Sequence, residues 1–148
     1  MINRSILGAA LMIALATTAV IAQSNPIAAR KALMKGNDEG GRVTFAMVRG
    51  QVPFDATKVD AAFAQWAETA QKLPGLFPDN SKTGGDTRAS PKIWQNKSDF
   101  DAKAAAFGKV VADTRTSAVG SLDGLKAAFP ALGKACDNCH SDYRLSKK

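Results

Sequence analysis

Residues 122–143 of this 148-residue chain read LDGLKAAFPALGKACDNCHSDY, and this segment decides the fold. Its apolar residues recur at spacings of three and four, the period of an α-helix that buries one stripe of its surface. The stripe consists of Leu122, Leu125, Phe129, Leu132, Cys136, Cys139 and Tyr143. Pro130 lacks the backbone donor that a helix interior needs, so we expect it to kink this helix or divide it into two. The cysteines would then lie on a final helix of a few turns.

Proline and glycine divide the chain before this segment into three further helical stretches. We predict the first from Pro26 to about Arg49, the second from the residue after Asp55 to about Leu73, and the third from Ser98 to about Ser117. Pro26 suits a first helical position, and Asp55 and Ser98 are candidate N-caps. A long loop over 74–90 leads into a short predicted helical turn over 91–94.

The second and third stretches also carry apolar stripes of helical period. The stripes are Val59, Phe63, Trp66, Ala70 and Leu73 in the second, and Phe100, Ala104, Phe107, Val111, Thr114 and Ala118 in the third. The chain is rich in alanine and poor in β-branched residues, which favours helix over sheet. Helices that each bury one stripe and are joined by short connections predict an all-α, antiparallel four-helix bundle.

The N-terminus has the pattern of a secretory signal peptide. Arg4 precedes an apolar run over 6–19, and Val20-Ile21-Ala22 fits a cleavage site before Gln23. We therefore predict a signal peptide over 1–22 and an exported, periplasmic domain over 23–148. The alternative is an uncleaved N-terminal anchor, although the run is short for a span of about 20 residues. No other stretch is apolar enough to span a bilayer, so we expect no stable membrane insertion.

Cys136-Asp137-Asn138-Cys139-His140 uses the only two cysteines and the only histidine of the chain. The pattern C-x-x-C-H is typical of covalent haem attachment. Each thiol adds to a vinyl group of the haem, and the adjacent imidazole ligates the iron. Cys136 and Cys139, three residues apart, share one face of a helix. The motif predicts one covalently bound haem c per chain, with His140 as the iron ligand.

Three other interpretations of the cysteines are weaker. A thioredoxin-like redox site needs a βαβ setting, and the sequence predicts no strands. A disulfide suits an exported protein, but a bridge across three helical residues constrains little of the chain. A structural zinc site needs about four protein ligands, more than two Cys and one His supply.

The position of this motif near the C-terminus, with Arg144 four residues after His140, resembles the class II cytochromes c. That family includes cytochrome c′ and cytochrome c-556, and it is itself a standard example of a four-helix bundle. The resemblance covers nearly all of the domain, and Leu-Phe-Pro and Pro-Lys-Ile-Trp look closer to the c-556 type. It is carried by the segments 30–35 (RKALMK), 50–55 (GQVPFD), 73–78 (LPGLFP), 91–94 (PKIW) and 133–144 (GKACDNCHSDYR).

The resemblance implies that Met34 lies on the distal side of the haem. In the low-spin branch, a methionine sulfur there binds the iron opposite His140, and this His/Met pair raises the haem potential. In the high-spin branch, a bulky residue covers a five-coordinate iron. Arg30 and Arg144 are candidate partners of the haem propionates or shields of the proximal face; generic surface arginine is the alternative. Met47 is expected to be a core or surface residue.

The predicted function is electron transfer by the haem, and the alternative is binding of NO or CO at a five-coordinate iron. No second histidine or paired carboxylates suggest an enzyme. The net charge of +7 is scattered along the chain, and an exported protein has little access to nucleic acid. The charge indicates a solvated surface or attraction of an acidic redox protein partner. A homodimer through the first two helices is a further implication of the resemblance, although Phe45 and Val48 could equally be buried within one chain.

Overall fold

A computed structural model describes residues 25–146 of the chain. Within this range it contains four long helices and one short one. They are α1 (Pro26–Val48), α2 (Ala56–Lys72), α3 (Lys92–Gln95), α4 (Lys97–Gly120) and α5 (Leu122–Tyr143). Two short 3₁₀ turns, Leu73–Leu76 and Asp79–Ser81, lie in the connection between α2 and α3. The predicted all-α four-helix bundle is confirmed, whereas the predicted signal peptide over 1–22 lies outside the described residues.

Capping side chains define where the helices begin. Asn25 accepts hydrogen bonds from the backbone N–H groups of Ile27 and Ala28 at the start of α1. Asp55, a predicted cap, accepts one from the backbone N–H of Lys58 at the start of α2. The prediction that Ser98 caps the third long helix is wrong. Asn96 caps it instead and accepts from the backbone N–H of Asp99. α4 then continues to Gly120, three residues beyond the predicted end.

Pro130 does not divide α5, contrary to one predicted outcome. The helix runs unbroken for 22 residues, so the cysteines lie on a long helix. The missing N–H of Pro130 leaves the carbonyl of Lys126 without its helical partner, but both residues are exposed. Water can therefore satisfy that carbonyl, and the helix tolerates the proline at this face.

The core has two apolar clusters. The larger one lies among α1, α2, α4 and α5 and is built on fully buried side chains such as Phe63, Val111 and Leu125. Met47 is buried there, as expected for a core residue. The smaller cluster surrounds Phe77 and Phe100 at the end of the bundle where the long connection crosses. Side chains of the smaller cluster, and side chains packed against the larger one, border the space in which the candidate site lies.

α4 packs along α5, and α2 packs along both α1 and α4, whereas the contact between α1 and α5 is slight. Gly40 permits the close approach of α1 to α2, because a Cβ there would lie 3.0 Å from the Cβ of Ala62. α1 is thus held mainly by α2. Within residues 25–146, no helix is both long and apolar enough to cross a membrane.

Candidate functional site

A cavity of about 700 Å³ separates α1 from α5. This volume lies within the usual range for sites that hold small molecules and cofactors. Its lining contains every site residue predicted from the sequence. These are Arg30, Met34, Cys136, Cys139, His140 and Arg144. The fold therefore brings together residues that are more than a hundred positions apart in the chain.

The predicted apolar stripes continue into this cavity. Several stripe residues are not fully buried by protein, and five of them line its wall: Ala70, Phe107, Phe129, Cys136 and Cys139. Helical stripes on α2, α4 and α5 thus converge on a space that no side chain of the described residues fills. Burial of an apolar group there would remove these side chains from water. A large, flat, mostly apolar cofactor fits this lining.

The two cysteines are free thiols, separated by one helical turn of α5. Burial raises the pKa of the Cys139 thiol. The pKa of the Cys136 thiol is also raised, mainly by partial burial of the sulfur and secondly by the nearby Asp137 carboxylate. Cys136 as a whole residue is exposed. Both thiols are therefore protonated at neutral pH. Net addition of S–H across a vinyl double bond gives a thioether and releases no leaving group, so two free thiols have the composition that haem attachment requires.

His140 is half-buried at the cavity wall. Burial lowers the pKa of its imidazole, and the nearby charges of Arg144 and Arg88 lower it further. The neutral ring that results is the form that can ligate a metal. His140 also lines a second, smaller cavity of about 370 Å³, which it shares with Arg88 and Arg144.

Met34 projects from α1 into the same cavity. It is partly buried against the smaller apolar cluster, which includes Phe77 and Phe100. Met47, the other methionine of α1, is fully buried in the larger cluster and does not line the cavity. Met34 is thus the one methionine of the described residues that is available on this wall.

Arg30 lies one turn before Met34 and is only 4% exposed. Its two terminal nitrogens donate to the Leu76 carbonyl, to the Ser81 hydroxyl and carbonyl, and to the Thr87 hydroxyl, at 2.7–3.1 Å. The guanidinium also lies 4.7 Å from the centroid of the Phe77 ring. Burial lowers the pKa of Arg30 from its usual value. Its main observed role is to hold the connection between α2 and α3 against α1.

Arg144 directly follows α5, and the connection between α2 and α3 passes beside it. The backbone N–H of Ser90 donates to the Tyr143 carbonyl, and that of Leu145 donates to the Arg88 carbonyl. The Arg88 side chain in turn donates to the Leu145 carbonyl at 2.9 Å. These bonds place two cationic side chains, Arg88 and Arg144, beside His140.

Arg88 and Lys103 are among the charged residues of the cavity lining that sequence reasoning did not single out. Arg88 lies in an irregular loop, where no periodic pattern indicates its direction. Lys103 lies four residues after Asp99 on α4, a spacing that predicts an ion pair within the helix. That spacing gives no indication of the contact that Lys103 makes with Asp142 of α5.

Aromatic rings form the end wall of the cavity. Three of them line it: Phe77, Phe100 and Tyr143. The Phe100 ring packs edge to face on both of the others, with ring centroids 4.8 Å from Phe77 and 5.3 Å from Tyr143. Trp94 belongs to the same cluster and donates to the Phe77 carbonyl at 2.8 Å. A hydrogen bond to the Asp99 carboxylate raises the pKa of Tyr143 to about 12, so the phenol remains protonated.

The chain is similar to known proteins in both sequence and fold. The family described as Cytochrome C′ matches residues 25–144, the whole of the bundle. The chain belongs to this family. The cytochrome c-556 of Rhodopseudomonas palustris is 40% identical over 134 residues, which cover 88% of this chain and 89% of that protein. The cytochrome c′ of the same organism is 39% identical and covers 92% of each chain.

A solved structure of cytochrome c′ from Rhodopseudomonas palustris superposes with a TM-score of 0.79. It is 37% identical and covers 85% of this chain and 100% of that one. Members of the family carry covalently attached haem c, so the predicted cofactor is confirmed. The assignment of individual residues to the haem stays a prediction.

Proposed function

We propose that this chain is a periplasmic electron carrier. Cys136 and Cys139 would attach one haem c, His140 would be its proximal ligand, and Met34 would be its distal ligand. The observation that carries the proposal is that these four residues line one cavity, with Met34 on the α1 wall and the others on α5. Haem supplies an iron that exchanges one electron with a partner protein. The chain would bind and orient it and keep water from its faces.

The cavity wall supports this assignment. Its aromatic and aliphatic side chains would exclude water from both faces of a flat apolar cofactor, and a methionine ligand raises the haem potential. Arg144 is exposed and lines the cavity, so a haem propionate could pair with it. Arg30 already donates from both terminal nitrogens to the connection, so its contribution to the site would be its cationic charge. The positive net charge of the chain suits a partner with an acidic docking surface.

The second candidate function is binding of NO or CO at a five-coordinate iron. The cavity extends along α1 past Met34 to Gly41 and Phe45, which leaves room on this side for a diatomic ligand. The 39% identity to a cytochrome c′ is close to the 40% identity to a cytochrome c-556, so identity does not separate the two.

The visible spectrum of the reduced protein, with and without CO, distinguishes the two functions. His/Met ligation predicts sharp, split α and β bands that CO leaves unchanged. A broad high-spin band that shifts with CO would instead establish the gas-binding alternative.

Replacement of Met34 tests the distal ligand directly. Met34→Leu keeps the size of the side chain and removes the sulfur, so we expect a low-spin ferrous spectrum to become high-spin and responsive to CO. Met47→Leu is the matched control, because Met47 lies on the same helix but is buried in the core, and it should keep the wild-type spectrum. A Met34→Leu spectrum that stays low-spin would exclude Met34 as the ligand.

Export and assembly complete the proposal. A signal peptide over 1–22 would deliver the domain 23–148 to the periplasm, where haem c is attached. Phe45 is 46% exposed on α1 and stacks on Phe129, whereas Val48 packs on the core. A homodimer through α1 and α2 would cover Phe45, and sedimentation of the haem-loaded protein tests it.

A further inference from the structure

Lys103 of α4 reaches across to the haem-attachment turn of α5. Its Nζ donates to the Asp142 carboxylate at 2.5 Å and to the carbonyl of Asn138 at 3.1 Å. Asn138 is one of the two residues between the cysteines. The same Nζ lies 3.8 Å from the carboxylate of Asp99 on its own helix. One ammonium group thus contacts the motif backbone and two carboxylates.

This lysine differs from the other lysines in ion pairs on α4. The Lys103 side chain is 25% exposed, whereas that of Lys109, which pairs with Asp113 on the same helix, is 75% exposed. The ion pair of Lys109 lies within its own helix. Lys103 also lines the large cavity, so the residue borders the space proposed for the haem.

Tyr143 closes the arrangement. Its hydroxyl donates to the Asp99 carboxylate at 2.5 Å, and its ring packs edge to face on Phe100. Asp99, Lys103, Asp142 and Tyr143 therefore form one polar group that joins α4 to the last turns of α5. Hydrogen bonds connect Tyr143 to Asp99 and Lys103 to Asp142, and the ion pair between Lys103 and Asp99 links the two. This group holds the turn that carries Cys139 and His140 in a fixed position relative to α4.

We infer that Lys103 is a positioning residue that holds the haem-attachment turn and, by balancing the charges of Asp99 and Asp142, raises the reduction potential of the haem. This inference rests on the proposed function. The ferric haem carries one more positive charge than the ferrous haem. An ammonium group near it therefore disfavours the oxidised form, and a carboxylate favours it.

The sign of the effect distinguishes charge from simple damage. Lys103→Met removes the ammonium, leaves two carboxylates uncompensated and should lower the reduction potential. Asp142→Asn removes one carboxylate, leaves the ammonium and should raise the potential. A change that only loosened the attachment turn would move both variants in the same direction.

The test is a redox titration of the haem-loaded protein at neutral pH and low salt. At the potential where the wild-type protein is half oxidised, we expect Lys103→Met to raise the ferric-to-ferrous ratio by roughly three- to tenfold. Asp142→Asn should lower the ratio by a similar factor; a tenfold change corresponds to 59 mV for one electron. Lys109→Met and Asp113→Asn are the matched controls and should change the ratio less than about twofold.

Shifts of the two variants in the same direction, or shifts no larger than those of the controls, would overturn the inference. Lys103→Arg keeps the charge and should keep the wild-type potential. If Lys103→Met does not fold, Asp142→Asn against Asp113→Asn decides the sign by itself. A wild-type protein without covalent haem, detected by the absence of thioether-bound haem after denaturation, would instead overturn the proposed function.

Discussion

Replacement of Arg30 by methionine should destabilise the protein much more than the same change at a surface arginine. Methionine keeps much of the apolar stem but removes the guanidinium. Arg30 is 4% exposed, and its guanidinium donates four hydrogen bonds to the connection between α2 and α3. Two of the bonds are received by Ser81, itself 1% exposed. Its hydroxyl and carbonyl would lose the partners that satisfy them.

The magnitude follows from the groups left without partners. A buried acceptor that loses its hydrogen bond costs about 1–3 kcal/mol, and Ser81 supplies two such acceptors. Loss of the cation–π contact with Phe77 adds about 1 kcal/mol. Release of the buried charge to water offsets part of this cost. We therefore expect Arg30→Met to lower the free energy of unfolding by about 3 kcal/mol.

Guanidinium denaturation of the haem-loaded protein, followed by circular dichroism, measures this loss. Arg42→Met is the control on the same helix, because the Arg42 side chain is 71% exposed and forms only an i,i+4 pair with Asp38. It should cost about 0.5 kcal/mol or less. Trypsin cleavage after Lys82, in the connection that Arg30 holds, should also become faster in Arg30→Met. The reasoning is refuted if Arg30→Met costs no more than Arg42→Met.

Two helix caps give further predictions. Ser121→Ala removes the hydroxyl that accepts from the Gly124 N–H at the start of α5 and should cost about 1 kcal/mol in urea denaturation; a change below about 0.3 kcal/mol would contradict a capping role. The hydrogen bond from the Lys58 N–H is the main cause that lowers the pKa of Asp55 in the native state. The charged carboxylate therefore stabilises the native state fully above the ordinary pKa of 3.8. This stabilisation is lost as the pH falls through the lowered native pKa. Asp55→Asn keeps an acceptor without a charge, and the stability advantage of the wild-type protein over it should shrink on acidification from about pH 6 to about pH 3, whereas a constant difference would contradict the assignment.

The helices were predictable because their signals are local. Pro26 and Asp55 mark helix starts by chemistry that acts within one turn, and the apolar stripes identify the buried faces. The start of α4 was not predictable in this way. Asn96 donates its N–H to the carbonyl of Lys92, which ends α3, and its side chain caps α4. Asn and Ser cap helices about equally well, so residue type does not decide between Asn96 and Ser98 as the N-cap. The position of α3 makes Asn96 the cap.

The candidate site was predictable to different degrees on its two sides. Cys136, Cys139 and His140 form a contiguous motif, so their proximity needs no knowledge of the fold. Met34 could be assigned only through resemblance to a family, since nothing local relates α1 to α5. The surroundings of Arg30 depend on a loop that begins more than forty residues later, and no periodicity encodes such a path.

The anchoring of α1 decides whether Met34 can reach an iron held by α5. α1 has only a slight contact with α5, so α5 does not set the width of the cavity between them. Two other contacts do: the close approach of Gly40 to Ala62 of α2, and the hydrogen bonds of Arg30 to the connection after α2. These contacts lie six residues after Met34 and four residues before it, so they hold both sides of the turn that carries it. On the proposed function, the sixth coordination position is therefore governed as much by Arg30 and Gly40 as by the methionine itself.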